Sequence, residues 1–140
     1  MDMPAIIRAI ADKVNGWPAL SGAITGVHLS MADRDSVFPY LVVDVLPGGT
    51  LSTFATSNNI EDVMVRMNVY SKSENVSEAA TIMGHLCECF DKADLSFAEG
   101  NYHSMGCRRL GTPGVIRESE DIWHLHVEYS MMVEKPKRQL

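Results

Sequence analysis

The chain has no apolar run that approaches the roughly 20 residues needed to span a bilayer. Its longest, Leu41 to Leu46, is broken by Asp44. A membrane partner is therefore not expected. The N-terminus, MDMPAIIRAIADKVNGW, has neither a basic leader nor a continuous apolar stretch, so no signal peptide is expected and the chain should stay in the cytosol. Basic residues are the minority, 12 against 18 acidic, for a formal net charge of −6. Such a surface repels a phosphate backbone, and sequence-specific nucleic-acid binding is not expected. Arg108-Arg109 is the only adjacent basic pair within an expected element, and on a strand the two point to opposite faces.

Cysteine is scarce and odd in number. Cys87 and Cys89 fall in a helical pattern, where i and i+2 point about 200° apart, so they cannot chelate one metal together. With Cys107 they are read as reduced, small apolar residues. Catalytic signatures are missing as well. There is no Gly-x-Ser-x-Gly elbow and no acid pair with a defined geometry. Asp33 and Asp35 belong to a turn, and Asp91 and Asp94 to the end of a helix.

What is present is ordinary globular material. At 140 residues with 46% apolar and 21% charged content, one domain over residues 1–140 can bury a core, with 136–140 expected to fray. Ile6, Ile7, Ile10 and Val14 recur at helical spacing between Pro4 and Gly16, predicting a first helix. Trp17-Pro18 predicts an extended or turn segment. Strands are predicted at Ala23–Ser30 and in VFPYLVVDVL. The clearest alternation follows, with Glu61, Val63, Val65, Met67 and Val69 against Met64, Arg66, Asn68 and Tyr70.

From Ser73, placed as an N-cap, the period becomes helical. Val76, Ala79, Ala80, Ile82, Met83, Leu86, Cys87 and Phe90 form one stripe. HSMGCRRL predicts another strand, GTPGVIRESED a turn region, and residues 123–133 a last strand in which Trp123, Leu125, Val127, Tyr129, Met131 and Val133 share a face. The order α-β-β-β-α-β-β, with successive strands lacking crossover helices, predicts an α+β fold: a mostly antiparallel sheet of about five strands with two helices on one face.

Two features invite chemistry. His124 and His126, at i and i+2 of a strand, project from one face and could share a metal in a small metal-dependent enzyme. A site needs a third ligand, for which His103, Glu128 or Cys107 would have to be brought close by strand pairing; otherwise the pair lies on the wetter face of a sheet. PGGTLSTFATSNN, residues 47–59, carries no charge. Gly48-Gly49-Thr50 lacks the lysine and following helix of a phosphate loop. Between two strands the stretch is an extended hairpin tip, with Gly48 and Gly49 granting backbone freedom and Leu51 and Phe54 as apolar anchors.

An N-terminal amphipathic helix, FPYLVVDV, a long loop, VMVRMNVYSKSE, AATIMGHLCECFDKADL, the RRL strand and the closing WHLHVEYSM together resemble the tail-completion or tail-terminator proteins of long-tailed bacteriophages and gene-transfer particles, over residues 5 to 133. The resemblance implies a structural virion protein and no enzyme. It implies a homo-hexameric ring at the head-proximal end of the tail tube, which stops tube polymerisation and presents the head-docking surface. The implied partners are the tail tube protein and the head–tail connector or neck protein, with DNA passing through the lumen. A head-closure or neck component of the same particle is the alternative. No cofactor is implied, and assembly would take place in the host cytoplasm before incorporation into the virion.

A ring needs a heterologous contact that closes. Gly48, Gly49, Thr50, Leu51 and Phe54 at the hairpin tip, and Met131, Met132 and Val133 at the end of the last strand, are the candidate interface residues. The negative charge suits a lumen through which DNA slides without sticking.

Overall fold

The structure, a computed structural model, describes residues 3–32, 35–51, 60–97 and 102–134. Helix α1, Met3–Asn15, buries Ile6, Ile10 and Val14 as its spacing predicts, with Ala5 and Ala9 beside them, while Ile7, expected on the same face, is only half-buried. Trp17 is extended, at φ −115° and ψ 92°, but Pro18 then opens a one-turn helix, α2, Pro18–Ser21. Proline's fixed φ suits a first helical position, where its missing N–H has no partner to lose. The turn places Leu20 fully in the core.

Strands β1 (Val27–Leu29), β2 (Tyr40–Leu51) and β3 (Ile60–Lys72) precede helix α3 (Ser77–Phe90); β4 (His103–Arg109), β5 (Gly114–Arg117) and β6 (Ile122–Glu134) follow it. The sheet runs β1-β2-β3-β6-β4, with β5 also on β6, and every pairing is antiparallel except β1 with β2. The expected α+β class is what forms, with six strands and three helices among the described residues instead of five and two. The sixth strand, β5, lies inside the stretch expected to be only a turn. Four residues carry too little periodicity to stand out beside three glycines and prolines.

Boundaries move in three elements, β2 among them, which runs Tyr40–Leu51 where VFPYLVVDVL was expected. β1 is three residues long, not eight, because Gly26 and Thr25 already belong to the approach, where the Thr25 N–H is donated to the Pro39 carbonyl at 2.8 Å. α3 begins at Ser77, where the N–H is donated to the Asn75 side-chain oxygen at 2.9 Å. Ser73 does not cap it. Its backbone is held to β6 instead: its N–H is donated to Asp121 O, and its carbonyl accepts the Trp123 indole N–H at 3.2 Å.

The core lies between α1–α3 and one sheet face. Val63, Val65, Met67 and Val69 of β3 and Leu125, Val127, Tyr129, Met131 and Val133 of β6 are all buried there. α3 contributes Ala79, Ile82, Met83, Leu86, Cys87, Cys89 and Phe90, while Ala80, expected in its stripe, faces solvent. A fully buried Leu86 or Phe90 is worth roughly 1.5–3 kcal/mol of transfer free energy. Among the described residues no helix is long and apolar enough to cross a membrane.

Candidate functional site: the open face of the sheet

Alternation along the strands sends a second set of side chains to the face that carries no helix. Register decides which of them meet. Tyr40 of β2 is opposite Tyr70 of β3, which is opposite His124 of β6. Their rings form a ladder across three strands, with centroids 5.4 Å apart for Tyr40–Tyr70 and 4.4 Å for Tyr70–His124, both stacked. Phe38 extends it beyond Tyr40 at 5.0 Å, His28 of β1 meets Tyr40 edge-on at 5.5 Å, and His126 lies 5.6 Å from His124. Each such cross-strand pair adds roughly 0.2–1 kcal/mol beyond an alanine pair. The ladder is also a broad, stiff apolar surface.

Beneath the rings runs a polar chain anchored by Asn68, 3% exposed. Its amide NH₂ is donated to Val42 O at 3.1 Å and to Asp44 Oδ2 at 3.0 Å. The amide oxygen is left as an acceptor and receives the His124 Nε2–H at 2.7 Å. The other ring nitrogen, Nδ1, faces Glu118 Oε1 at 3.1 Å. Burial pushes the His124 imidazole below its ordinary pKa, while Glu118 pulls the opposite way. Tyr70 is pushed above its ordinary value by burial and then by the charge of Glu118. One row further on, Arg66 Nη2 and Nε both bind Glu128 Oε1, at 2.7 and 3.1 Å. This pair is partly exposed and worth at most about 1 kcal/mol.

His124 and His126 do share a face, as expected, but the third ligand does not arrive. Cys107 points into the core, where burial raises its thiol to about 11. Glu128 is engaged by Arg66. His103 pairs with Glu134, eight residues along β6 from His126, or about 26 Å at ~3.3 Å per residue. Both His124 nitrogens already have partners, and among the described residues no group of three His, Cys, Asp or Glu is placed to hold a metal.

The strand-end patch must be corrected. Met131 and Val133 are fully buried in the core and cannot meet a partner. Only Met132 faces outward, opposite Asp62. Three consecutive apolar letters suggested two apolar faces, but two of the three simply continue the inward alternation. Gly48, Gly49, Thr50 and Leu51 are not loop residues. They extend β2, with Gly49, Thr50 and Leu51 opposite Asp62, Glu61 and Ile60 after a register shift that follows Leu46. Phe54 lies outside the described residues.

The sequence reading missed the ladder, Asn68 and Glu118. Tyr40, Tyr70 and His124 are 30 and 54 positions apart, so only the strand register could have joined them.

The His126 ring lies against Gly114 of β5. A Cβ at Gly114 would sit 2.6 Å from His126 Nε2 and 2.7 Å from Cε1. Gly114→Ala is expected to destabilise the fold by about 1–2 kcal/mol through this overlap. Most of the loss should be recovered in a Gly114→Ala/His126→Ala double variant. Urea unfolding of the four proteins checks this; purely additive losses would count against the overlap.

No family model and no curated protein matches the chain in sequence. Its fold is similar to that of a chain from a structure described as the virion of a native gene transfer agent (GTA) particle, with a TM-score of 0.67 and 17% identity over 94% of this chain and 96% of that one. A second solved structure, for which no function is stated, is similar over 100% of this chain and 99% of its own, at 12% identity and a TM-score of 0.59.

Proposed function

We propose that this chain is a structural protein of a phage-like particle. Its copies, six by the family resemblance, form a ring on the head-proximal end of the tail tube, end tube growth and offer the head its docking surface. The observation that carries this reading is the end-to-end fold likeness to a chain of a gene transfer agent virion, with neither chain left over by more than a few per cent. The architecture supports it. One sheet face is sealed by helices, the other is paved with stacked rings and paired polar groups. β1 pairs with β2 only at Leu41–Val43, so the β2–β3 hairpin reaches past it.

The test is assembly of particles without this protein. Tubes of uncontrolled length that fail to join heads are expected. Normal-length tails attached to heads would reject the reading, and normal-length tails detached from heads would move the role to the neck. The hairpin tip provides a finer arm. Because Leu51 is paired with Ile60, residues 52–59 can be replaced by Asn-Gly, which closes a two-residue turn on an intact ladder. This variant is expected to fold normally by circular dichroism and to lose assembly by tenfold or more. Undiminished assembly would reduce the tip to a connection.

A further inference from the structure

Apart from Trp17, between α1 and α2, the exposed large apolar side chains among the described residues gather at two places. Leu29, Met31 and Val37 lie on or beside β1, at one edge of the sheet; Met105, Val115 and Ile116 lie on β4 and β5, at the opposite edge. All six are between 44% and 77% exposed. On the β1 side a cavity of about 110 Å³ opens between α1 and the sheet, lined by Ile7, Ile10, Ala11, Val27, Leu29 and Val43. On the far side β5 consists of Gly-Val-Ile-Arg, of which only Gly114 is even half-buried.

Such an edge, apolar and unpaired on its outer side, is a template for another chain unless something covers it. Along β4 the fold supplies a cover. The Cys107 N–H is donated to Ala93 O at 2.8 Å, and the Lys92 N–H to Cys107 O at 3.0 Å. No equivalent backbone bond reaches the outer side of β5 among the described residues.

The two edges also differ in charge. The described residues within 23–46 carry Asp35 and Asp44 and no lysine or arginine, an excess of acid. β4 and β5 carry Arg108, Arg109 and Arg117 and no acid; Arg109 meets Asp91, and in the turn after β5 Glu118 faces His124 and Asp121 faces Lys72, so Arg108 and Arg117 are the cations of this edge without an ion pair among the described residues. Like would repel like at either edge, whereas the acidic edge of one molecule attracts the basic edge of another.

We infer that the occupant of the β5 edge is the β1 edge of a second copy of this chain, so that copies join head to tail through opposite sides of one sheet. The inference rests on the ring reading and specifies its contact. A surface patch that meets a different patch on an identical neighbour generates a closed ring or an open filament, never a two-fold dimer. Ile116 and Val115 would then be covered by the neighbour's Leu29 and Met31, with Arg117 and Arg108 near its acids.

The experiment uses single variants of the full chain, Leu29→Cys and Ile116→Cys. The three native cysteines are buried and stay silent. Oligomer size is measured first by light scattering, free and on purified tubes. Under mild oxidation the mixed variants are expected to form covalent dimers at least tenfold faster than either variant alone. Met31→Cys with Val115→Cys provides a second pair in case one position perturbs folding. Oligomers that form while only self-pairs, or no pairs, cross-link would overturn this contact and leave the ring reading standing. No oligomer in either setting would overturn both.

Discussion

Replacing Tyr129 with alanine is expected to cost about 3–5 kcal/mol of stability, a large fraction of what a domain of this size has. Among the described residues Tyr129 is the largest fully buried side chain. Its ring packs near Phe90 of α3, with centroids 6.0 Å apart, and its hydroxyl is donated to Asp91 Oδ1 at 2.6 Å. It therefore ties β6 to the end of α3 both by packing and by a charged hydrogen bond. Asp91 also meets Arg109 Nε at 3.4 Å. Tyr129→Phe keeps the packing and removes only the hydroxyl, so about 1–2 kcal/mol is expected for it.

Burial, followed by the bond to Asp91, raises the Tyr129 pKa far above the ordinary value of a phenol. The folded state keeps this proton while the unfolded chain releases it above about pH 10. Stability is therefore fully present below that pH and falls as pH rises, by about 1.4 kcal/mol per unit from this one group. Cys107, raised to about 11 by burial, acts in the same direction. Urea unfolding at pH 9 and pH 11 should show a shallower alkaline loss for Tyr129→Phe than for the unaltered protein. An unchanged slope would mean that Tyr129 does not hold its proton in the fold.

The second large effect is expected from Asn68→Asp. The substitution is nearly isosteric, but it sets a carboxylate against Asp44 Oδ2 and Val42 O, where the amide had donated. Roughly 2–3 kcal/mol should be lost near neutral pH. The pH dependence should also reverse. In the unaltered protein burial lowers the His124 pKa, so the fold resists a proton that the unfolded chain accepts, and acidification through about pH 6.5 costs stability. In the variant a carboxylate beside Nε2 favours the imidazolium and raises that pKa. The variant should regain stability as pH falls from 7.5 to 5.5. His124 ring chemical shifts would track the titration; equal losses at both pH values would refute the account.

The sheet class and both main helices were legible because period 2 and period 3.6 are written over ten or more residues in β3, β6, α1 and α3. What was hidden is short or non-local. β5 has four residues, α2 has four, and their identities follow from what they pair with or pack under. The ends of β2 and α3 were misplaced for related reasons. Pro47-Gly48-Gly49 ordinarily ends a strand, yet β3 supplies a partner through the register shift that follows Leu46. Ser73 ordinarily caps a helix, yet Asp121 claims its N–H.

The candidate site was less legible than the fold. His124 and His126 were found by their spacing, but the amide that orients His124 is 56 residues away in sequence. The two apolar sheet edges are visible only once strand order is known.

Strand β6 follows every other strand in the sequence and yet lies inside the sheet, between β3 and the β4/β5 edge. The hairpin of β2 and β3 can form as soon as it is synthesised. β4 and β5 have no strand to pair with until residues 122–134 have been made, and until then one edge of β3, with Val63 to Val69 along it, stays open. Completion of the sheet, and with it the creation of the β5 edge, is therefore a single late event in the life of each chain. In the proposed head-to-tail contact a molecule still lacking β6 could offer its β1 edge but not its β5 edge, and so could be joined from one side alone.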